Sequence, residues 1–340
     1  MKILKWLSFL TIILTLFACH DDNDSNVVTQ HYVHKYGFDM SKNEWQNRTK
    51  EGTVTSLLDS GITVTNNYNN GDLHGLTTYS FPNSSILEKI YDYDNGTIIK
   101  ETHQDEAGIP YREKTYEPDN KTQITLWDKT GVPISQEQYE SNALVNGKYF
   151  KPNNELEAAI EDNTGTRIKR DRNGELLYRD TIKNGKLKAR NTYHSNGQLK
   201  SSMSFKNYQL HGEQTNYSEK GAVVLNQTFN NGKLNGMKAV YRNNNKISEV
   251  LYNNGLRQGL ERHFKEDGSL LAQVHWENDK KHGSERIFHD NDTHIKWYYK
   301  GKPVSIKRFE EFSFREKLIA DKTSFYDMID KMDTTQALQE

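Results

Sequence analysis

Apolar and polar positions alternate with a period of two along much of this chain. In Leu270–Trp276, residues 270, 272, 274 and 276 fall on one face, and Val223, Leu225 and Phe229 do the same around Gln227. The other face is mainly polar, which is the pattern of a half-buried β-strand. Between the predicted strands stand Asn-Gly pairs at 184–185, 196–197, 231–232 and 254–255, with further pairs at 70–71, 95–96, 146–147 and 173–174. Both residues tolerate the positive φ of a tight hairpin turn, so the chain reads as successive antiparallel hairpins laid side by side. From Glu310 to Met332 the period changes. Phe314, Leu318, Phe325, Met328, Ile329 and Met332 have helical spacing with no glycine or proline between them, and a helix covering the last strand is expected.

The strands belong to a longer period. Gly212, Gly236, Gly259 and Gly283 recur at intervals of 24, 23 and 24 residues, and each is followed five residues later by an aromatic: Tyr217, Tyr241, Phe264 and Phe288. A second aromatic series, Phe229, Tyr252, Trp276 and Tyr299, lies between them. One repeat is therefore two strands. Tyr193 and Phe205 extend the register upstream, with Lys188 standing where the glycine belongs. The strings NGKLNGMKAVYRNNNKISEVLY, NGLRQGLERHFKEDGSLLAQVHW and NDKKHGSERIFHDNDTHIKWYY resemble the variant MORN repeat of bacterial proteins of the YwqK-type antitoxin family. The resemblance is strong over 183–301 and weaker over 66–182, where NNGDLHGLTTY at 69–79 looks like one good copy. It implies a ribbon of β-hairpins, a binding or scaffolding role, and no catalysis in the repeats.

The first residues carry a different signal. Lys2 and Lys5 precede an apolar run from Trp6 to Ala18, too short to span a bilayer, which reads as a secretory leader. Its end, Leu16-Phe17-Ala18-Cys19, resembles the lipobox of bacterial lipoproteins and makes Cys19, the sole cysteine, the lipid-bearing residue. The polar stretch His20–Asn26 reads as a tether, and its acidic cluster resembles the surface-export signal of such lipoproteins. The expected order is a leader at 1–18, a lipidated tether at 19–30, a divergent β-repeat region at 31–182, regular repeats at 183–305 and a helical cap at 306–340. The expected fold is an elongated single-layer antiparallel sheet, and the expected location is the outer membrane or cell surface, held there by the lipid anchor.

Composition limits the chemistry. Lys plus Arg (45) balance Asp plus Glu (46), and nothing in that balance points to nucleic acid. With apolar residues at 34% of 340, a thin architecture is expected rather than a large globular interior. No nucleophile elbow, phosphate loop or zinc-protease pair is present, so neither catalytic residues nor a cofactor are expected. His74, His211 and His282 each precede a repeat glycine and read as copies of one structural position. His263 and His275 on adjacent strands are the weak metal alternative. Asp92-Tyr93-Asp94-Asn95-Gly96 opens like a calcium loop, but His103 stands at its twelfth position, and a plain turn explains it better.

One charge feature remains. Between Asp180 and Glu213 there is no acid, while Lys183, Lys186, Lys188, Arg190, Lys200 and Lys206 are all present. On a sheet they would form a basic patch able to meet a phosphate, a head group or an acidic protein, weighed against a face that only keeps the sheet soluble. The aromatic stripe Tyr217, Phe229, Tyr241, Tyr252, Phe264 and Trp276 reads as sheet packing before it reads as a ligand platform. The expected partner is a protein, with a toxin as the narrower case that the family resemblance implies. A glycan bound by an adhesive or structural surface protein is the alternative.

Overall fold

The computed structural model describes residues 26–48, 50–289 and 292–336, with side chains of the last helix described to Lys322. The leader and Cys19 lie outside them. Those residues form 26 strands and two helices, mainly β and antiparallel throughout, in two units that meet at Gly108 and Ile109. The expected boundary at 182–183 falls inside a strand, Leu176–Lys183.

In the first unit, Val27–His34 pairs with Asp39–Met40 and Gly52–Leu58, and the ladder continues through Thr63–Asn69, Gly75–Ser80, Leu87–Asp94 and Thr97–Gln104. Its first strand begins at Val27, within the stretch read as tether. A short helix, Lys42–Asn47, starts at Ser41 with a reciprocal cap: the Ser41 hydroxyl accepts from the Glu44 N–H at 3.2 Å, and the Glu44 carboxylate accepts from the Ser41 N–H at 2.8 Å. The cap aims Trp45 inward against Tyr32 and Tyr68, both at 5.7 Å between rings, and Met40 and Val54 complete a small core. Residues 39–47 thereby cover part of the first strand, which a lone sheet edge requires.

The second unit runs from Pro110–Glu117 to Lys302–Val304, each strand pairing with the one before it. Its two rows of turns differ. One row consists of two-residue turns with both φ positive, such as 119–120, 141–142, 162–163, 184–185, 207–208, 231–232, 254–255 and 278–279. The other row is mostly five-residue loops with one left-handed glycine, such as Gly131, Gly174, Gly197, Gly221 and Gly268. In those loops an Asp or Asn side chain takes backbone N–H groups, as Asp171 does from Asn173 and Glu175. The Asn-Gly pairs divide accordingly. Those at 70–71, 95–96, 184–185, 231–232 and 254–255 form the expected two-residue turns, whereas 173–174 and 196–197 place only their glycines in the left-handed region. Asn146-Gly147 is no turn; it lies in the strand Ala143–Phe150.

The repeat glycines mark irregularities in the ladder. Gly212, Gly236, Gly259 and Gly283 have φ of 95°, 126°, 76° and 111° and stand opposite Phe229, Tyr252, Trp276 and Tyr298. An aromatic thus stands across the ladder from each position that lacks a side chain. Gly52, Gly75 and Gly165 share the left-handed conformation and stand opposite Tyr68, Tyr93 and Ile182.

The last helix, Ile306–Gln336, is seated by its first turns. Phe309 packs on Trp297 at 5.0 Å and His282 at 5.3 Å, Phe312 lies on Tyr299 at 4.8 Å, and Lys300 pairs with Glu316. Two members of the expected apolar face are exposed instead. Phe314 and Leu318 are 65% and 46% exposed, while Phe325, Met328, Ile329 and Met332 lie outside the described side chains.

Candidate functional site

The lysines of the basic patch occupy one side of the sheet. Register places Thr181, Ala189 and Ser204 in one cross-strand row, and alternation puts Lys183, Lys200 and Lys206 on that same face. Lys186 stands directly opposite Lys183 across the 184–185 turn, and Lys188 is the extra residue of a bulge. All five are exposed, and none has an acidic partner among the described residues. A like-charged pair set directly opposite is unfavourable in isolation, so Lys183 and Lys186 gain from an anion that neither finds among the described residues.

Arg190 does not join them. The bulge at Lys188 resets the alternation, so Arg190 falls opposite Asp180 on the other face. Its Nε and Nη2 donate to the two oxygens of the buried Asp180 at 2.6 and 2.7 Å, and its guanidinium lies 4.1 Å from the Tyr178 ring. This arginine is a structural partner, held more basic than usual by its bond to Asp180.

A second polar cluster has no counterpart in the sequence reading. Between Leu156–Glu161 and Thr164–Arg170 only two residue pairs form, and the ladder bends there. Tyr149, Ile160, Ile168 and Ile182 close into a core, with Tyr149 fully buried. Across this bend Arg167 donates through Nε and Nη2 to Glu137 at 2.7 and 2.9 Å, although 30 residues separate them. The Tyr139 and Tyr149 hydroxyls donate to the same carboxylate at 2.6 and 2.8 Å. Gly147 stands opposite Glu137, and its missing side chain makes room for the Tyr149 ring, whose hydroxyl lies 2.6 Å from where a Cβ would sit. Burial alone would raise the Glu137 pKa, but hydrogen bonds and charge from Arg167, with the two tyrosine hydroxyls, hold it below the usual range. Burial also pushes both tyrosines up, helped by the adjacent carboxylate, and lowers Lys169. Glu157 takes Arg170 and Arg179 nearby. With Glu137 and Glu157 each matched by arginine, the cluster is suited to holding the bend.

The histidines read as copies of one position do not share one environment: the His211 Nδ1 is buried without a hydrogen-bond partner among the described residues. His74 lies 3.5 Å from Asp94, and His282 lies 3.3 Å from Glu277 with its ring against Tyr299. His263 pairs with Glu261 at 3.1 Å, and His275 Nδ1 lies 3.2 Å from the Ser284 carbonyl, so each faces its own neighbour. In the calcium-like string, Asn95 and Gly96 form a two-residue turn at φ 45° and 80°. The aromatic stripe is half-buried. Trp276, for example, donates to Glu261 at 2.6 Å and carries the Arg257 guanidinium 3.4 Å above its ring.

Glu137, Tyr139 and Tyr149 alternate along their strands like any others, and only the bend brings them to Arg167. The signal available in the sequence was the departure from the 23–24-residue spacing between Gly147 and Gly165.

No curated protein matches the chain. Among solved structures, BamB from Moraxella catarrhalis is similar at 8% identity and a TM-score of 0.13, over 73% of this chain and 80% of that one. A porin-like protein from Bacteroides uniformis is similar at 9% identity and a TM-score of 0.14, over 78% and 92%. Neither likeness carries an argument about function. Residues 188–207, two strands with the five-residue loop between them, match the MORN repeat variant, and the chain therefore carries a repeat of that type.

Proposed function

We propose that this chain is a non-catalytic, lipid-anchored binding protein of the cell envelope, held at the outer membrane through Cys19, whose regular repeats take up an acidic protein partner. The observation that carries the reading is the five exposed lysines at 183, 186, 188, 200 and 206, which share a sheet face, have no acidic partner among the described residues and include a like-charged pair set opposite each other. The narrower form is an antitoxin-like or immunity factor, which the family resemblance suggests and the anchor would station where a toxin arrives. The test is affinity capture of the mature protein from crosslinked cells of its source, beside a variant with all five lysines changed to glutamine. A single near-stoichiometric protein that the variant fails to retain is the expected result. Equal capture by both forms, or recovery of abundant envelope proteins alone, defeats the reading. A second reading, an adhesive surface protein that binds glycan, is favoured by the charge of one turn row.

A further inference from the structure

Resting on that second reading, we infer that the row of two-residue turns along the regular repeats binds a linear acidic polysaccharide carrying one charge on alternate sugars. Most turns of this row are joined to the preceding hairpin by a backbone hydrogen bond. The N–H groups of Gly185, Gly232, Gly255, Asp279 and Gly301 donate to the carbonyls of Asn163, Leu210, Leu234, Arg257 and Lys281, each in the preceding hairpin, at 2.7 to 3.1 Å. The row is therefore an ordered edge, interrupted among the described residues only at 207–208, where the Tyr208 hydroxyl and not a backbone N–H reaches the preceding turn. Successive turns are two strands apart, which sets a pitch of about 10 Å.

Charge along this edge is divided by position. From 119 to 162 it is acidic, with Asp119, Glu161 and Asp162 exposed and Glu140 paired with Lys121. From 183 to 302 it is basic: Lys183 and Lys186, then Lys206, Lys233, Lys280 and Lys302, all exposed and without acidic partners among the described residues. The acids within that basic stretch have other partners, Glu277 in His282 and Asp279 in Arg257, although Glu277 also stands opposite Lys280 across the 278–279 turn. The lysines thus form a line rather than a field, with the 254–255 turn as its neutral gap. A line of cations at fixed pitch matches a polymer with charges at fixed repeat, and the acidic stretch defines where such a polymer must end.

Tyr208 supplies the second observation. It occupies a turn position with φ of 63°, where a bulky residue is strained, and it is 69% exposed beside Lys206. Its hydroxyl makes one long hydrogen bond, 3.3 Å, to the Gly185 carbonyl. An exposed ring on the line of lysines offers a sugar an apolar face beside its charge. An anionic bilayer would need neither the fixed pitch nor the ring.

The experiment titrates the mature chain with hyaluronan oligomers of graded length, which carry one carboxylate per disaccharide. Dextran, polygalacturonate and phosphatidylglycerol vesicles serve as comparisons. Affinity is expected to rise with oligomer length until the polymer spans the row and to fall with salt. The triple change K233Q, K280Q and K302Q is expected to weaken binding about tenfold, the combined worth of three exposed charge pairs. Tyr208→Asn keeps a residue suited to the turn and is expected to weaken binding as well. K129Q, K220Q and R242Q, at the opposite row of turns, are expected to leave it unchanged. Absence of saturable binding overturns the inference, as does equal loss in both triple variants, tightest binding to polygalacturonate in proportion to its charge, or binding to vesicles alone. Protein capture by the edge triple variant is read separately, so loss of the polysaccharide and loss of the protein partner are distinguishable.

Discussion

The second unit contains two ways of building the same ladder. Between 133 and 190 the hairpins bend over one another and enclose Tyr149, Ile160 and Ile168 at 4% exposure or less. Between 199 and 299 the strands form a layer whose side chains are mostly half-buried, and Ala239, Val250 and Val274 are its deepest apolar residues at 6 to 7%. The bent segment is stabilised by long-range burial and the regular one by neighbours, so a single change should act non-locally in the first and locally in the second. Charges follow the same division. Glu137 is matched across 30 residues, whereas Glu249 is held by Lys246 and Arg262 on its own and the adjoining strand.

The sharpest way to break this comparison is to remove one charge from each region. Glu137→Gln leaves Arg167 facing an uncharged partner beneath the bend and is expected to cost about 3 kcal/mol or more. Glu249→Gln removes a partner from two more exposed cations and is expected to cost less than about 1 kcal/mol. Urea unfolding monitored by tyrosine and tryptophan fluorescence measures both. Equal losses would mean that the bend gives its ion pair no special weight.

Glycine substitutions probe the backbone in the same two regions. Gly165 lies at φ 147°, and a Cβ there would sit 2.2 Å from the Ala159 carbonyl oxygen, so Gly165→Ala requires the bend to shift and is expected to cost about 3 kcal/mol. Gly259 lies at φ 76° with nothing within 4 Å of a Cβ, so Gly259→Ala bears only the left-handed penalty, about 1 kcal/mol. A smaller loss at Gly165 than at Gly259 would place the strain in the repeats instead of the bend.

These pairs also mark what was legible. Strand alternation, turn chemistry and the 23–24-residue period are local, and they suffice for hairpins, repeat glycines and a mainly β fold. The bend depends on two adjacent strands sharing only the pairs Ile160–Gly165 and Glu161–Thr164, and no local pattern announces how few pairs will form. Arg190 shows the same limit on a smaller scale. Strict alternation from Lys186 and Lys188 assigns it to the basic face, and one bulge moves it to Asp180. The C-terminal helix itself was legible from its spacing, but not what seats it: the apolar residues were counted along 310–332, while the contacts come from Phe309 and Phe312 at its start. The lysine patch was legible because exposure and charge need only the parity of each strand.

Acid should separate the regions further. Glu137 is held below the usual glutamate range in the folded chain, so its contribution is full above the unfolded value near pH 4.3 and is lost as pH falls through the folded pKa. Stability of the wild type should therefore decline below about pH 4.3, more steeply than that of Glu137→Gln. Parallel acid limbs in the two proteins would remove Glu137 as the cause.

The smallest effect tests whether the turn row stores strain for a purpose. Tyr208 takes φ 63° in a place where the neighbouring hairpins use Asn-Gly, and a glycine there is free of the left-handed penalty. Tyr208→Gly is therefore expected to raise stability, by about 1 kcal/mol at most, because the lost hydrogen bond to Gly185 is long and exposed. The sign matters more than the size. A gain in melting temperature shows that the native tyrosine is kept at a cost to the fold, which an exposed ring recovers only by touching something outside the chain. A loss shows that the ring steadies the 184–185 turn beneath it, and the edge then owes its order to tyrosine as much as to the backbone ladder.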